Sequence, residues 1–494
     1  MAQLKKYQMY INGEWVDSEN GETFDSVNPA TGDTWAEIPA ATATDVDRAV
    51  TAAHRAFTAG AWSTMLATER GVLLRKLAEV MKEHSEKLGE TETTDTGKLL
   101  SETRWQAAYL STYYHYYAGL ADKVHGDTFP IDKPNMWTMT VREPIGVVAA
   151  IVPWNSQLFL VAVKIAPALA AGNTVVLKAS EHASAAMLEF GKVFEKAGFP
   201  PGVINIVTGM GDPCGAALTR HPLVDRISFT GGLSSAREIV RNSAENFAEV
   251  SLELGGKSPL LIFDDVDLDN AVNGILLSIF SATGQSCVAG SRLIVQEGIY
   301  DELLARLAER AAGIRIGDPT DANSQMGPLA TQAQLDRIEE TVAHAIENGG
   351  TLISGGKRPD GLEKGWYYEP TIVACPNQEL KIVREEMFGP VLSVLKFKDE
   401  QEAIALGNDT RFGLASGVFT RDIGRALRVT KALRTGIVWV NTYRMVSPMA
   451  PFGGYKDSGH GRESGLEAIY DYTRVKTVWL NTSADPIDDP FRMQ

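Results

Sequence analysis

Residues 145–155 read IGVVAAIVPWN, and three more apolar runs follow: NTVVLKA at 173–179, VINIVTG at 203–209 and RISFTG at 226–231. Each run is too short for a helix and rich in Val and Ile. Amphipathic segments of helical length separate them, the first two ending near Ala171 and Gly198. Short apolar runs alternating with helical segments are the pattern of parallel strands joined by crossover helices. A second series begins at SPLLIF (258–263) and continues through SRLIVQ (291–296), VLSVLKF (391–397) and GIVWVN (436–441). Gly255-Gly256 falls between the two series and marks a domain crossing. The fold class read from this is α/β, with two parallel-sheet domains.

Outward from that centre, the first 40 residues read as short strands and turns. YINGEW carries the hairpin signal Asn12-Gly13, and Asn28-Pro29 with Thr31-Gly32 marks another turn. A helix begins near Thr44-Asp45, with Val46, Ala49, Val50, Ala53, Ala56 and Phe57 on one face. A second is expected from about Ala67 to Gly89, and a third from about Ser101 to Leu120 with a tyrosine cluster at 113, 114, 116 and 117. The Pro-punctuated stretch 122–142 and VKTVWLN (475–481) are strand-like and lie outside both series. They are expected to pair with each other and present an edge to another subunit. ADPIDDPFRMQ (484–494) reads as a loose acidic tail.

The chain has 494 residues, 44% of them hydrophobic and 22% charged, which excludes wholesale disorder and allows a large core without disulfides. A net charge of −15 makes nucleic acid an unfavourable partner. Three widely spaced cysteines, Cys214, Cys287 and Cys375, form neither a disulfide framework nor a metal site and suit a reducing compartment. MAQLKKYQMY lacks the apolar centre of a signal peptide, and the most apolar stretch, Val147 to Ala171, is interrupted by Pro153, Asn155, Gln157, Lys164 and Pro167. A cytoplasmic protein with no membrane partner is expected.

Five stretches carry chemistry. GQSCVAGSR (284–292) sets Cys287 among Gly284, Gln285 and Ser286, unusual company for a packing residue. It is a candidate nucleophile, with a buried structural cysteine as the ordinary alternative. LELGGKSP (252–259) places Glu253 at a strand end beside a flexible turn, where burial makes it a general base; otherwise it is an exposed strand-end residue. In PWN (153–155), Asn155 either donates to a developing oxyanion or caps a helix, and the two are compatible. TGMGDPCG (208–215) and FTGG (229–232) are candidate phosphate loops or plain turns.

Together with VNPATG (27–32), LKASE (177–181), EEMFGP (385–390) and PFGGYKDSGHGRE (451–463), these fragments resemble the aldehyde dehydrogenase superfamily, in order and nearly end to end. The resemblance implies three parts: an NAD-binding Rossmann-like domain (1–121 and 143–254), a catalytic domain (255–460) and a small β oligomerisation flap (122–142 and 473–494). It implies NAD-dependent oxidation of an aldehyde to the acid, NADP being disfavoured. Cys287 would form a thiohemiacetal and then a thioester, Asn155 and the Cys287 N–H would hold the oxyanion, and Glu253 would activate the hydrolytic water. Lys164 and Glu463 resemble a proton path beyond Glu253. Lys178 and Glu181 resemble the adenosine-ribose pair, Gly211 the close-approach glycine, and Gly231 and Gly232 the pyrophosphate turn. Glu386 and Phe388 resemble the nicotinamide contacts, and Ile151, Trp154 and Phe229 complete the set. The family often has Ser where Gly232 stands and Gly where Ala236 stands, so the phosphate contacts depart from the common pattern.

The substrate tunnel by the same resemblance is lined by Tyr109, Ser156, Phe159, Ser286, Val288 and the Arg444 loop. Small Ser156 leaves room near the reacting carbon. Arg444 points to a polar or carboxylate-bearing substrate, with an aromatic or heterocyclic portion against Tyr109; the alternative is a surface arginine at the tunnel mouth. A CoA-acylating semialdehyde dehydrogenase is the rival enzyme, disfavoured by Glu253. A crystallin-like structural protein is the rival class. A homodimer or homotetramer and no metal are expected.

Overall fold

The computed structural model describes residues 4–487 and 489–492. The first three residues of the N-terminal stretch, and residues 488, 493 and 494 of the acidic tail and flap segment, lie outside them.

The opening runs form strands Val147–Ile151, Thr174–Lys178, Ile204–Val207 and Arg226–Gly231. With Glu249–Leu254 they pair in parallel, in the spatial order 249–254, 226–231, 147–151, 174–178, 204–207. The sequence order reverses beside the central strand 147–151. In a doubly wound sheet the ligand crevice opens beyond the carboxyl ends of the strands at such a switch point. Helices cover both faces, so the strands read as unbroken apolar runs rather than alternating ones. The hairpin Met9–Ile11 and Glu14–Val16 extends one edge, with Asn12 at φ 54° and Gly13 at φ 82°, the left-handed pair that a tight hairpin needs. Gly459–His460 extends the other edge, antiparallel to Glu249–Leu254, so the chain has returned to the first sheet by residue 459.

The second series forms the parallel order 371–374, 391–397, 292–296, 259–262, 415–419, 437–440, with Thr351–Ser354 antiparallel at one edge. Thr473–Asn481 pairs antiparallel along all of Met136–Pro144, with Thr128–Phe129 on the far side. Trp137, Val141, Val475 and Trp479 of this small sheet are exposed.

Two helix expectations are corrected. The segment expected as one helix from 67 to 89 is two, Ala67–Glu83 and Ser85–Thr96, parted at His84 (φ −96°, ψ 2°). The His84 ring Nδ1 lies 2.8 Å from the Val80 carbonyl, which also accepts the His84 N–H. The segment from 101 to 120 is Leu100–Tyr109 and Ser111–Leu120, where Tyr113 and Tyr114 both donate to the Leu110 carbonyl and tighten the turn.

Candidate active site

The loop carrying Cys287 joins helix Leu268–Ile279 to strand Arg292–Gln296. It turns through three successive left-handed residues, Ala282 (φ 51°), Thr283 (φ 55°) and Gly284 (φ 68°). Non-glycine residues resist that conformation, so outside contacts must hold it. Ala282 N–H donates to Glu102 Oε1 at 3.1 Å, and the Ser281 carbonyl accepts from Arg444 Nη1 at 3.0 Å. Thr283 Oγ1 donates to the Gly327 carbonyl at 3.1 Å, and Gln285 Oε1 accepts from Ala330 N–H at 2.8 Å. Asn155 Nδ2 donates to the Gln285 carbonyl at 3.0 Å, which ties the PWN turn to the cysteine loop. An amide nitrogen carries two hydrogens, so one donor of Asn155 remains. The Cys287 N–H finds no acceptor among the described residues.

Cys287 is half-buried. Burial pushes its thiol up to about 12, the charges of Glu386 and Glu253 add to the rise, and Arg444 opposes it. Glu253 is buried and neither carboxylate oxygen has a hydrogen-bond partner among the described residues. Burial first, then the charge of Glu463, raises it well above the usual carboxylate range, against the pull of Lys164 and Arg462. Lys164, fully buried, pairs with Glu463 and donates to Ser228 Oγ at 3.3 Å. Cys287, Glu253 and Glu463 thus lie within electrostatic reach of one another, Lys164 pairs with Glu463 and reaches Glu253, and Asn155 joins them through the Gln285 carbonyl of the cysteine loop.

On the substrate side, helix Leu100–Tyr109 turns Glu102, Gln106 and Tyr109 to one face at spacings of four and three. Tyr109 Oη donates to the Val446 carbonyl at 3.2 Å, Trp105 stacks on its ring at 5.1 Å, and Phe159 meets Tyr113 edge-on at 5.4 Å. Ser156 and Ser286 are half-buried and Val288 is buried. Arg444 sits at φ 61°, and its Nε and Nη2 are buried without hydrogen-bond partners among the described residues.

On the cofactor side, Ile151 lies in register between Lys178 and Phe229 across three neighbouring strands. Lys178 Nζ lies 3.8 Å from the Glu181 carboxylate, and Gly215 of the glycine loop backs onto the Lys178 side chain. Open space surrounds Gly211 and Gly232 where a side chain would start, whereas Gly231 lies against the Phe229 ring. Helix Leu233–Asn242 begins at Gly232 with no side-chain cap, leaving its first amides for an anion. Glu386 Oε1 accepts the Gly256 N–H at 3.0 Å, and a side chain at Gly255 would collide with that carboxylate. Burial lifts Glu386 to about 7. Phe388 packs edge-on against Trp154 with ring centres 5.3 Å apart.

The sequence profile of the Aldehyde dehydrogenase family matches residues 15–478. The chain belongs to the aldehyde dehydrogenase family. It is 56% identical over 492 residues to the (Z)-2-((N-methylformamido)methylene)-5-hydroxybutyrolactone dehydrogenase of Acinetobacter baylyi, covering 99% of this chain and 100% of that one. Betaine aldehyde dehydrogenase from Staphylococcus aureus, solved with NAD+, superposes with a TM-score of 0.95 at 41% identity, covering 97% of this chain and 95% of the other. The NAD+ complex of an aldehyde dehydrogenase from Bacillus cereus gives a TM-score of 0.95 at 40% identity, with 97% of each chain covered.

In this aldehyde dehydrogenase the departure at Gly232 and Ala236 leaves the helix start open rather than blocked: Gly232 adds no side chain, and Ala236 is turned into the core. Several residues of the site escaped the sequence reading. Glu102 and Gln285 hold the cysteine loop, Lys98 holds Ser156 beside the PWN turn, Gln106 holds Lys98, and Lys257 lies buried near Glu386 with its amine unpartnered among the described residues. Glu102 and Gln106 share a face with Tyr109, which the helical spacing signals; Gln285 stands out only as polar company for Cys287, and Lys98 carries no signal. Among the described residues no helix is long and apolar enough to cross a membrane.

Proposed function

We propose that this aldehyde dehydrogenase uses NAD to oxidise a carboxylate-bearing aldehyde to the acid through a thioester on Cys287. The observation that carries this reading is the convergence of Cys287, Asn155 and the unpartnered Glu253 at the carboxyl ends of the first sheet. Lys178 and Glu181 would hold the adenosine ribose, Gly211, Gly231 and Gly232 the phosphates, and Glu386, Phe388 and Trp154 the nicotinamide end. Glu181 disfavours the added phosphate of NADP by charge. Bound there, the nicotinamide supplies a hydride acceptor and a positive charge.

The thiol of Cys287 passes its proton to solvent water and the sulfur adds to the aldehyde carbon, the carbonyl electron pair moving onto oxygen. The remaining Asn155 N–H and the Cys287 N–H stabilise the oxyanion that forms. Once the carbon is oxidised, the acyl group stays on sulfur as a thioester. Water then attacks the thioester carbon and the carbon–sulfur bond breaks, so that the acid leaves with the Cys287 sulfur freed as thiolate. Glu253 takes a proton from that attacking water; its raised pKa makes it a strong base once ionised. The Lys164–Glu463 pair lies next in line to accept that proton. Glu253 favours water over CoA as acyl acceptor.

Arg444 supports the substrate class, because two of its donors lie buried and unspent within electrostatic reach of Cys287. The Acinetobacter relative's named substrate is a hydroxybutyrolactone. Such a ring is the cyclic form of a four-carbon aldehyde acid, with one carboxylate at the far end. An aromatic or heterocyclic portion would lie against Tyr109. Arg444→Ala should slow both substrates through the cysteine loop and thiol, but should cut kcat/KM on succinic semialdehyde by about 10–100-fold more than on butanal, the cost of a charged hydrogen bond. Equal losses on both would contradict the carboxylate assignment. We also propose a cytoplasmic homodimer or homotetramer joined through the exposed apolar residues of the small sheet, with the three parts bounded as the sequence suggests except that the chain rejoins the first domain by residue 459.

A further inference from the structure

We infer that Lys98 fixes the Ser156 hydroxyl as a hydrogen-bond donor to an oxygen of the substrate close to the reacting aldehyde carbon. The inference rests on the reading above that Ser156 borders the substrate. Lys98 is buried, and its Nζ lies 2.7 Å from Gln106 Oε1 and 3.0 Å from Ser156 Oγ. An ammonium carries donors and no acceptor. The serine oxygen must therefore accept from Lys98, and its single proton is left to point elsewhere. That proton finds no acceptor among the described residues, although Ser156 is half-buried.

Its position decides what it serves. Ser156 follows Asn155, whose amide holds the Gln285 carbonyl two residues before Cys287. Gln106, the other partner of Lys98, shares a helix face with Tyr109 and Glu102, so Lys98 ties the tunnel helix to the oxyanion turn. The buried ammonium is held by Gln106 and Ser156 and lies within electrostatic reach of the buried Glu92 carboxylate, so it stays a fixed donor that leaves the serine proton free. The group recognised is a neutral oxygen acceptor (an ether, ester, amide or ring oxygen) within two or three atoms of the aldehyde carbon. Arg444 would take a carboxylate beyond it. Lys98 is thus a positioning residue and Ser156 the contact.

Two pairs of substrates isolate this donor. Glutaric semialdehyde is compared with its oxa analogue, in which an ether oxygen replaces the third carbon counted from the aldehyde. Butanal is compared with methoxyacetaldehyde, the same exchange without a carboxylate. Ser156→Ala should lower the oxa-to-methylene ratio of kcat/KM by about threefold to tenfold in both pairs. Lys98→Met should reproduce that fall, and Lys98→Arg should restore the parent ratio. If Ser156→Ala leaves the ratio unchanged, or Lys98→Met lowers oxa and methylene substrates equally, the inference is overturned and Lys98 is a structural tie only. The carboxylate preference is read separately, by semialdehyde against butanal, so loss of the Arg444 assignment leaves the neutral pair as a test of Ser156.

Discussion

The thiol of Cys287 is protonated at neutral pH, because burial and the charges of Glu386, Glu253 and Glu463 disfavour its anion more than Arg444 favours it. The thiolate fraction of a group with a pKa near 12 grows about tenfold per pH unit across the neutral range. Alkylation of the NAD-free enzyme by iodoacetamide should therefore accelerate about tenfold per unit from pH 7 to 9, with no plateau. Arg444→Ala removes the opposing cation and should slow alkylation at each pH. A plateau by pH 8 would contradict the burial argument. At this scale the sequence shows the proposed reacting groups and hides their supports. Cys287, Glu253 and Asn155 stand in distinctive local surroundings, whereas Lys98 meets Ser156 58 residues away and Glu102 meets Ala282 180 residues away. No local pattern encodes such a meeting.

Strands were legible because covering both faces of a parallel sheet forces continuous apolar runs, as in Val147–Ile151. Helix ends were not, because the break at His84 turns on a side-chain contact to Val80 and the bend at Leu110 keeps helical angles. The corrected helix Ser85–Thr96 has a consequence for the tunnel. A side chain started at Gly89 would lie 2.9 Å from the backbone of Arg104 in helix Leu100–Tyr109. Gly89→Ala should destabilise by about 1–3 kcal/mol through overpacking. It should also raise KM for the aldehyde, because Gln106 and Tyr109 ride on the displaced helix. Gly119→Ala, a helical glycine with open space around it, should be neutral or stabilising by up to about 1 kcal/mol. Thermal melts and kinetics on both variants check this; equal effects at the two positions would contradict the crossing argument.

At the scale of the whole molecule, the two series of apolar runs became two sheets, and strands 136–144 and 473–481 paired although 328 residues lie between them. The return of Gly459–His460 to the first sheet was hidden, since a two-residue strand leaves no periodicity. That return matters: it brings Glu463 to Lys164 and within electrostatic reach of Glu253, while the loop entering the second sheet meets Asn155 at the Gln285 carbonyl, two residues before Cys287. The candidate site is thus a joint product of both sheets, with the Cys287 thiol supplied from one side and the Glu253 carboxylate and Asn155 amide, the proposed base and oxyanion donor, from the other. The most direct measurement is intact-protein mass spectrometry of Glu253→Gln mixed with NAD and an aldehyde. The variant should release about one NADH per site in a burst, then slow by about 10²–10⁴-fold, and carry the acyl mass on Cys287. Turnover at the parent's rate, or a stalled enzyme with no acyl group on Cys287, would contradict the proposed division of labour between these two residues.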